Sequence, residues 1–189
     1  MNLYYTTTVG YDSPQPNSDR SLGGYKSSTK VVNDDFGNLF DELSVMTMKN
    51  NRDEYRAIIL RNDYDTPVAQ VKVNVIIPED AICSYKMAIG VLNGKNKYNQ
   101  KFMENVETVF GKPFHAKFVE MTADTILEIG RLNPGDEVGL WVCRHVDIEA
   151  ARHQFNDVCE PDPKDPTGRI YRPITYPTTE SVDIAISWI

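Results

Sequence analysis

The sequence predicts an all-β protein built as an antiparallel β-sandwich, and three observations carry that expectation. Between Tyr55 and Ala88, apolar runs at Tyr55–Leu60, Val68–Ile77 and Ile82–Val91 are separated by turn-rich breaks at Asn62–Pro67 and Pro78-Glu79-Asp80. Within the second run, Val71, Val73, Val75 and Ile77 alternate with Lys72, Asn74 and Ile76, the period of a half-buried pleated strand rich in β-branched residues. Late in the chain, Leu132-Asn133-Pro134-Gly135-Asp136 supplies a tight turn, and EVGLWVCRHV (Glu137–Val146) follows it. Short strands with turn signals between them and almost no helix argue for a sandwich with Greek-key connections. A closed barrel is the competing arrangement.

Taken in order, residues 2–9 (NLYYTTTV) are strand-like, dominated by Tyr, Thr and Val. Residues 11–38 are rich in Ser, Asn, Asp, Gly and Pro and too poor in apolar side chains to offset their own ordering entropy. They nevertheless lead through Leu22, Tyr25, Phe36, Leu39 and Phe40, anchors that a plain linker does not carry. The reading is an extended N-terminal arm over residues 1–42, ordered against a neighbouring subunit, followed by a sandwich domain over 43–189. The simpler alternative is a flexible tail.

Asp41–Met48 is a candidate first core strand, with Leu43, Val45 and Thr47 on one face. Asn62-Asp63 and Asp65-Thr66-Pro67 bring side chains that bond local backbone and a fixed φ, and Asn93-Gly94 marks another turn. Residues 96–118 are mixed and polar, a long loop with apolar patches at Phe102-Met103 and Phe114. Thr125–Ile129 reads as a strand with Ile126 or Leu127 inward. In Glu137–Val146, Val138, Leu140, Val142 and Arg144 share one face and Gly139, Trp141, Cys143 and His145 the other. Asp147–Phe155 changes period and suits one short helix near 147–156, with Asp147 as its N-cap. Residues 160–177 carry five prolines and form a second long loop. SVDIAISWI (Ser181–Ile189) alternates Val182, Ile184, Ile186 and Trp188 and is the final strand, tied into the sheet.

Composition narrows the function. The 189 residues carry a net charge of −7 and no basic stretch, so sequence-specific nucleic-acid binding is not expected. The longest apolar runs are strand-length, short of a membrane span, so no membrane partner is expected. MNLYYTTTVG has neither a basic start nor an apolar core, and no secretory signal is expected there. The three cysteines, Cys83, Cys143 and Cys159, are an odd, sparse set, better read as free thiols of a reducing compartment than as a disulfide framework.

No nucleophile elbow, phosphate-cradling glycine loop or zinc-type helix motif is present in the sequence. Cys143 and His145, with His153 nearby, form the nearest thing to a zinc ligand set. A buried thiol beside a core tryptophan explains them more simply. The acidic pairs Asp34-Asp35, Asp63/Asp65 and Asp162/Asp165 sit in turns without a calcium-loop pattern. Glu120, Asp124 and Glu128 lack any spacing that marks a hydrolytic carboxylate pair. No catalytic, cofactor-binding or metal residue is therefore assigned, and no cofactor is expected. The tyrosines scatter through loops (Tyr11, Tyr25, Tyr98, Tyr171, Tyr176) rather than along one strand face, which favours protein contacts over a flat sugar platform.

Several strings in order carry a resemblance. They are Ser21-Leu22-Gly23-Gly24-Tyr25 and Asn38-Leu39-Phe40; Tyr55-Arg56, Leu60-Arg61-Asn62, Thr66-Pro67 and Val71–Ile77; Leu132–Asp136 and Gly139–Arg144; and Ile184–Trp188. Together they resemble small virion structural proteins of tailed bacteriophages, in particular the neck and tail ring proteins of crAss-like phages. The resemblance spans most of the chain and brings no catalytic residue. It implies an immunoglobulin-like sandwich that forms a homo-oligomeric ring in the portal–neck–tail region, contacts other phage neck, portal or tail proteins, and assembles into the virion in the host bacterial cytoplasm. The candidate protein-interface residues are Leu22, Tyr25, Phe36, Leu39, Phe40, Tyr171 and Tyr176. The alternatives are a carbohydrate-binding or adhesin-like sandwich used in host attachment and, behind it, a metal-assisted hydrolase on a β-scaffold.

Overall fold

The computed structural model describes residues 1–32, 38–40, 52–78, 81–95, 98–146, 159–161, 164, 166–167, 171–173 and 183–189. The elements are β1 (Asn2–Thr7), a 3-10 turn (Ser18–Arg20), β2 (Tyr25–Lys30), β3 (Glu54–Arg61), β4 (Val68–Ile76), β5 (Cys83–Gly90), β6 (Leu92–Lys95) and β7 (Lys101–Met103). They continue with β8 (Val119–Met121), β9 (Leu127–Leu132), β10 (Glu137–Val146), β11 (Cys159–Pro161), β12 (Tyr171–Pro173) and β13 (Asp183–Ser187). A six-stranded sheet runs β2-β1-β3-β10-β5-β8, and a three-stranded sheet runs β13-β4-β9. Every pairing is antiparallel, and among the described residues neither sheet closes into a barrel. The fold is an all-β sandwich, as the alternating patterns predicted.

The alternation explains how the two sheets meet. Val71, Val73 and Val75 of β4 are buried, while Ile76 on the opposite face is 56% exposed. They pack with Ile58 and Leu60 of β3, Leu140 and Val142 of β10, and Tyr85 and Met87 of β5. Ile184 and Ile186 of β13 and Leu127 and Ile129 of β9 close the same core from the small sheet's edges. Leu127 and Ile129 thus face inward in the 125–129 segment, and Ile126 faces solvent. The backbone N–H and C=O of Ile189 exchange hydrogen bonds with Ala69, tying the last residues to the small sheet.

The other face of the large sheet is also buried. Tyr55, Ala57 and Ile59 of β3, Ala88 of β5, and Trp141 and Cys143 of β10 form a second cluster. Its cover is irregular: Leu92, Met103, Val106, Ala116 and Phe118 come from the stretch 92–118. Trp141 lies in register with Ala57 on one side and Ala88 on the other, small residues that leave room for the indole. The Met103 thioether occupies the next position, where a Cβ on Gly139 would stand 2.6 Å from Sδ and a Cβ on Gly90 2.4 Å from Cε. Glycine inside a strand here marks a close approach. Over its described residues 98–118, the segment expected to be a long loop over 96–118 is a third layer packed on its own chain, because it supplies the apolar side chains that this sheet face requires.

The arm expected over residues 1–42 is corrected in the same way. β1 lies inside the large sheet, between β2 and β3, with Tyr4 opposite Ile59 and Tyr5 opposite Ile58. Tyr4, Tyr5, Thr6 and Thr7 are buried. β2 was hidden by its polar sequence, YKSSTK. Lys26 is buried there because its ammonium pairs with Asp12, donates to the Ser27 carbonyl at 3.0 Å and sits 4.4 Å from the centre of the Tyr4 ring. Outside β2, the Asp12 N–H donates to the Lys26 carbonyl at 2.8 Å and the Ser28 N–H to the Ser13 carbonyl at 3.2 Å, so the Pro-containing stretch 12–15 caps that sheet edge. The second loop, 160–177, contains the short antiparallel pair β11–β12. The strand expected at 41–48 and the helix expected near 147–156 lie outside the described residues.

Candidate functional site

The structure describes the side chains of four of the seven candidate interface residues, Leu22, Tyr25, Leu39 and Phe40. Leu39 and Phe40 are 6% and 7% exposed and belong to this chain's own core, so they are not available as surface anchors. The Phe40 ring centre stands 5.2 Å from the Arg56 guanidinium and 4.7 Å from that of Arg144. Leu22 is half-buried, and its carbonyl accepts from the Val106 N–H at 3.0 Å, holding the third layer down. Tyr25 is half-buried with its ring 5.5 Å from Phe102. Phe36 and Tyr176 lie outside the described residues. Tyr171 begins β12, and its side chain lies outside them too.

The charged residues of β3 and β10 follow from strand parity. Glu54 and Arg144 are opposite each other on the face that meets the small sheet. Arg144 donates to Glu54 Oε2 from Nε at 3.1 Å and from Nη2 at 2.5 Å, both side chains being buried. Arg56, on the same face, pairs with Asp19 of the 3-10 turn. A buried guanidinium needs such a carboxylate, since desolvation without one costs several kcal/mol.

On the other face, Asp53, Tyr55, Cys143 and His145 adjoin one another at the edge of the third layer. His145 Nδ1 lies 2.7 Å from Asp53 Oδ1, and the Tyr55 hydroxyl donates to Asp53 Oδ2 at 3.1 Å. A cleft of about 480 Å³ opens beside Arg52, Asp53, Tyr55 and Phe110. An imidazole oriented by a carboxylate is half of an acyl-transfer apparatus. The neighbouring thiol does not supply the rest. Cys143 is 1% exposed, and burial, reinforced by the charge of Asp53, pushes its pKa up to about 12, far from a thiolate at neutral pH. Ser84 is the cross-strand neighbour of His145 on β5, and no hydrogen bond joins the two. The row instead anchors the start of β3 to the end of β10.

The other candidate clusters are likewise occupied or apart. Among the described residues, no group of three or more His, Cys, Asp or Glu side chains is arranged to hold a metal ion. His153, Asp34, Asp35, Asp162 and Asp165 lie outside the described residues. Asp63 accepts from Asn2 at 2.5 Å, from the Tyr4 hydroxyl at 2.7 Å and from Arg61 at 2.9 Å. Burial pushes its carboxyl pKa up, but these partners outweigh that and hold it below its ordinary value. Glu120 stands on β8 in the large sheet, whereas Glu128 stands on β9 in the small one, 4.0 Å from Lys72. Cys83 and Cys143 are buried.

Both aliphatic and aromatic side chains remain exposed, among them Val9, Ile76, Tyr98, Phe110, Phe114 and Trp188. Pro113 is buried while Phe114 beside it is 86% exposed, on a turn of the third layer. Glu104 fixes that turn, accepting from the Phe114 N–H at 2.7 Å, the His115 N–H at 2.9 Å and contacting His115 Nδ1 at 3.2 Å. On the other side of the molecule, Trp188 follows β13, its ring centre 6.0 Å from that of Tyr64 in the 62–67 turn. Tyr64, Trp188 and Ile189 are 44%, 41% and 82% exposed. Sequence reasoning registered Phe114 and Trp188 only as an apolar patch and a strand residue. The available signal was an isolated phenylalanine between Pro113 and His115 with a lysine on either side. Among the described residues no helix is long and apolar enough to cross a membrane. Comparison of the chain with protein-family models, with curated proteins and with solved structures returned no match.

Proposed function

We propose that this chain is a non-enzymatic structural protein of a virion, one copy of a homo-oligomeric ring in the portal–neck–tail region of a tailed bacteriophage. The motif order described above suggests the family. The observation that carries the reading is where the side chains are spent. The large sheet is walled on both faces by its own chain, and its buried ionisable groups are committed to internal partners, Glu54 with Arg144, Arg56 with Asp19 and Lys26 with Asp12. Exposed aromatic groups, among them Phe114 on one outer layer and the Tyr64–Trp188 pair on another, are what a subunit needs to hold neighbours. A rigid body with different apolar patches on different sides suits heterologous ring contacts.

The test is to place an affinity tag on the chain in its phage and purify particles. The tagged chain is expected to co-sediment with assembled particles in several copies each, with averaged images locating it in the neck or tail axis. Recovery of the tag solely as free protein, with particles of normal composition, overturns the reading.

A further inference from the structure

We infer that the Phe114 turn of one copy docks against the Tyr64–Trp188 patch of the next copy, and that this head-to-tail contact closes the ring; the inference rests on the ring reading above. Two features single out the Phe114 turn. Its aromatic ring is 86% exposed, yet its backbone is held by the Glu104 carboxylate and by buried Pro113, so little ordering entropy is lost when it inserts. The turn is also basic within an acidic chain: Lys112 and Lys117 are both exposed and bracket Phe114, and residues 111–117 contain no carboxylate.

The Tyr64–Trp188 patch has the opposite character. Two aromatic rings at 6.0 Å and the exposed Ile189 form an apolar surface. Asp65 follows Tyr64 and is exposed, and Asp136, half-buried, lies in the adjoining turn, whose backbone bonds Asn62 through Gly135 and Asp136. Glu120 and Glu107 on either side of the turn, and Arg131 beside the 132–136 turn, are the exposed charges of opposite sign nearest in sequence to the two sites. The Phe114 turn belongs to the layer covering one face of the large sheet. Trp188 belongs to the sheet covering the other face. Packed β-layers stand about 10 Å apart, so one molecule cannot join its own two sites. Two complementary patches on different sides of one chain define a heterologous contact, which repeats around a ring when the rotation closes.

The geometry prescribes a mixing experiment. Phe114→Ser and Trp188→Ser are made as separate full-length variants, each checked by circular dichroism for the wild-type spectrum and thermal midpoint. Light scattering after size exclusion is expected to show wild-type chain assembling with concentration and each variant alone remaining monomeric. An equimolar mixture of the two variants is expected to give a one-to-one dimer, because it retains a single intact turn and a single intact patch. Raising the salt from 50 to 500 mM weakens the contact. If wild-type chain assembles and either folded variant assembles equally well, the contact is wrong while the ring reading stands. A wild-type chain that stays monomeric at all concentrations overturns self-docking, and the tagged-particle experiment then decides the ring reading separately.

Discussion

The two faces of the large sheet solve the same problem differently. One is covered by a second sheet, whose Val71, Val73 and Val75 meet Ile58, Leu60, Leu140 and Val142. The other is covered by irregular chain, which inserts Met103 into a notch made by Gly90 and Gly139 and lays Phe118 against Tyr55 at 5.4 Å. The first solution relies on repetition: any aliphatic side chain at the right parity contributes. The second relies on fit, since each contact is made once. A regular cover also satisfies its own backbone through a ladder, whereas the irregular one borrows partners. Examples are the Gly24 and Met103 backbones bonding each other and the Tyr55 N–H donating to the Val109 carbonyl at 2.7 Å.

The largest effects should show whether both faces belong to one cooperative core. Trp141→Ala, under the irregular cover, is expected to lower unfolding stability by about 3–5 kcal/mol, and Leu140→Ala, under the small sheet, by about 2–5 kcal/mol. Urea unfolding followed by fluorescence and by circular dichroism measures both. A cost below about 1 kcal/mol for Trp141→Ala would mean that the third layer is not packed as described. On the sandwich side, Arg144→Met leaves Glu54 buried without its partner and is expected to cost about 3–5 kcal/mol, most of it recovered in the double variant Glu54→Leu/Arg144→Met. Failure of the second change to restore stability would show that the pair is not isolated from Arg56 and Phe40.

Gly139→Ala sharpens the contrast further. The new methyl meets the Met103 side chain, so a loss of about 1–3 kcal/mol is expected, and a much smaller one when Met103 is first shortened to Ala. Additive losses would remove Met103 from the notch. The smallest effect concerns acid. Burial raises the Glu104 carboxyl pKa, but the N–H groups of His115 and Phe114 outweigh it and hold the group below its ordinary value. A folded pKa below the unfolded one gives stability that is present above about pH 4 and lost as pH falls through the folded value. Glu104→Gln is therefore expected to flatten the acid side of the stability curve by about 1 kcal/mol while leaving neutral pH less affected. An unchanged acid limb refutes that assignment.

The same contrast explains what could be read in advance. β3, β4, β5, β10 and β13 were legible because burial on a pleated surface writes period 2 into the chain. In β10 the division of Leu140 and Val142 from Trp141 and Cys143 came directly from parity. The third layer was not legible, because contacts made once leave no period. Met103, Val106, Ala116 and Phe118 are spaced by fit alone, and beyond the Phe102-Met103 patch the trace lay in the partner, where Gly90 and Gly139 interrupt strong strands. β2 escaped notice for a different reason: Lys26 reads as a solvent residue until Asp12 and two tyrosine rings are placed around it. Leu39 and Phe40 were recognised as anchors, but sequence cannot say whether an anchor holds its own chain or another. The exposed Phe114 turn depended on a carboxylate ten residues away, Glu104, whose role appears only in three dimensions.

The cap that residues 12–15 place on β2 has a consequence for the protein in concentrated solution. An open sheet edge is a template on which any extended chain can crystallise into a fibril. Here one flank of the large sheet has been sealed with Pro14 on the sealing strip, and the opposite flank, β8, offers only three residues. Among the described residues the large sheet thus offers few backbone groups from which uncontrolled polymerisation can be seeded, and the longer edges left are β9 and β13 of the small sheet.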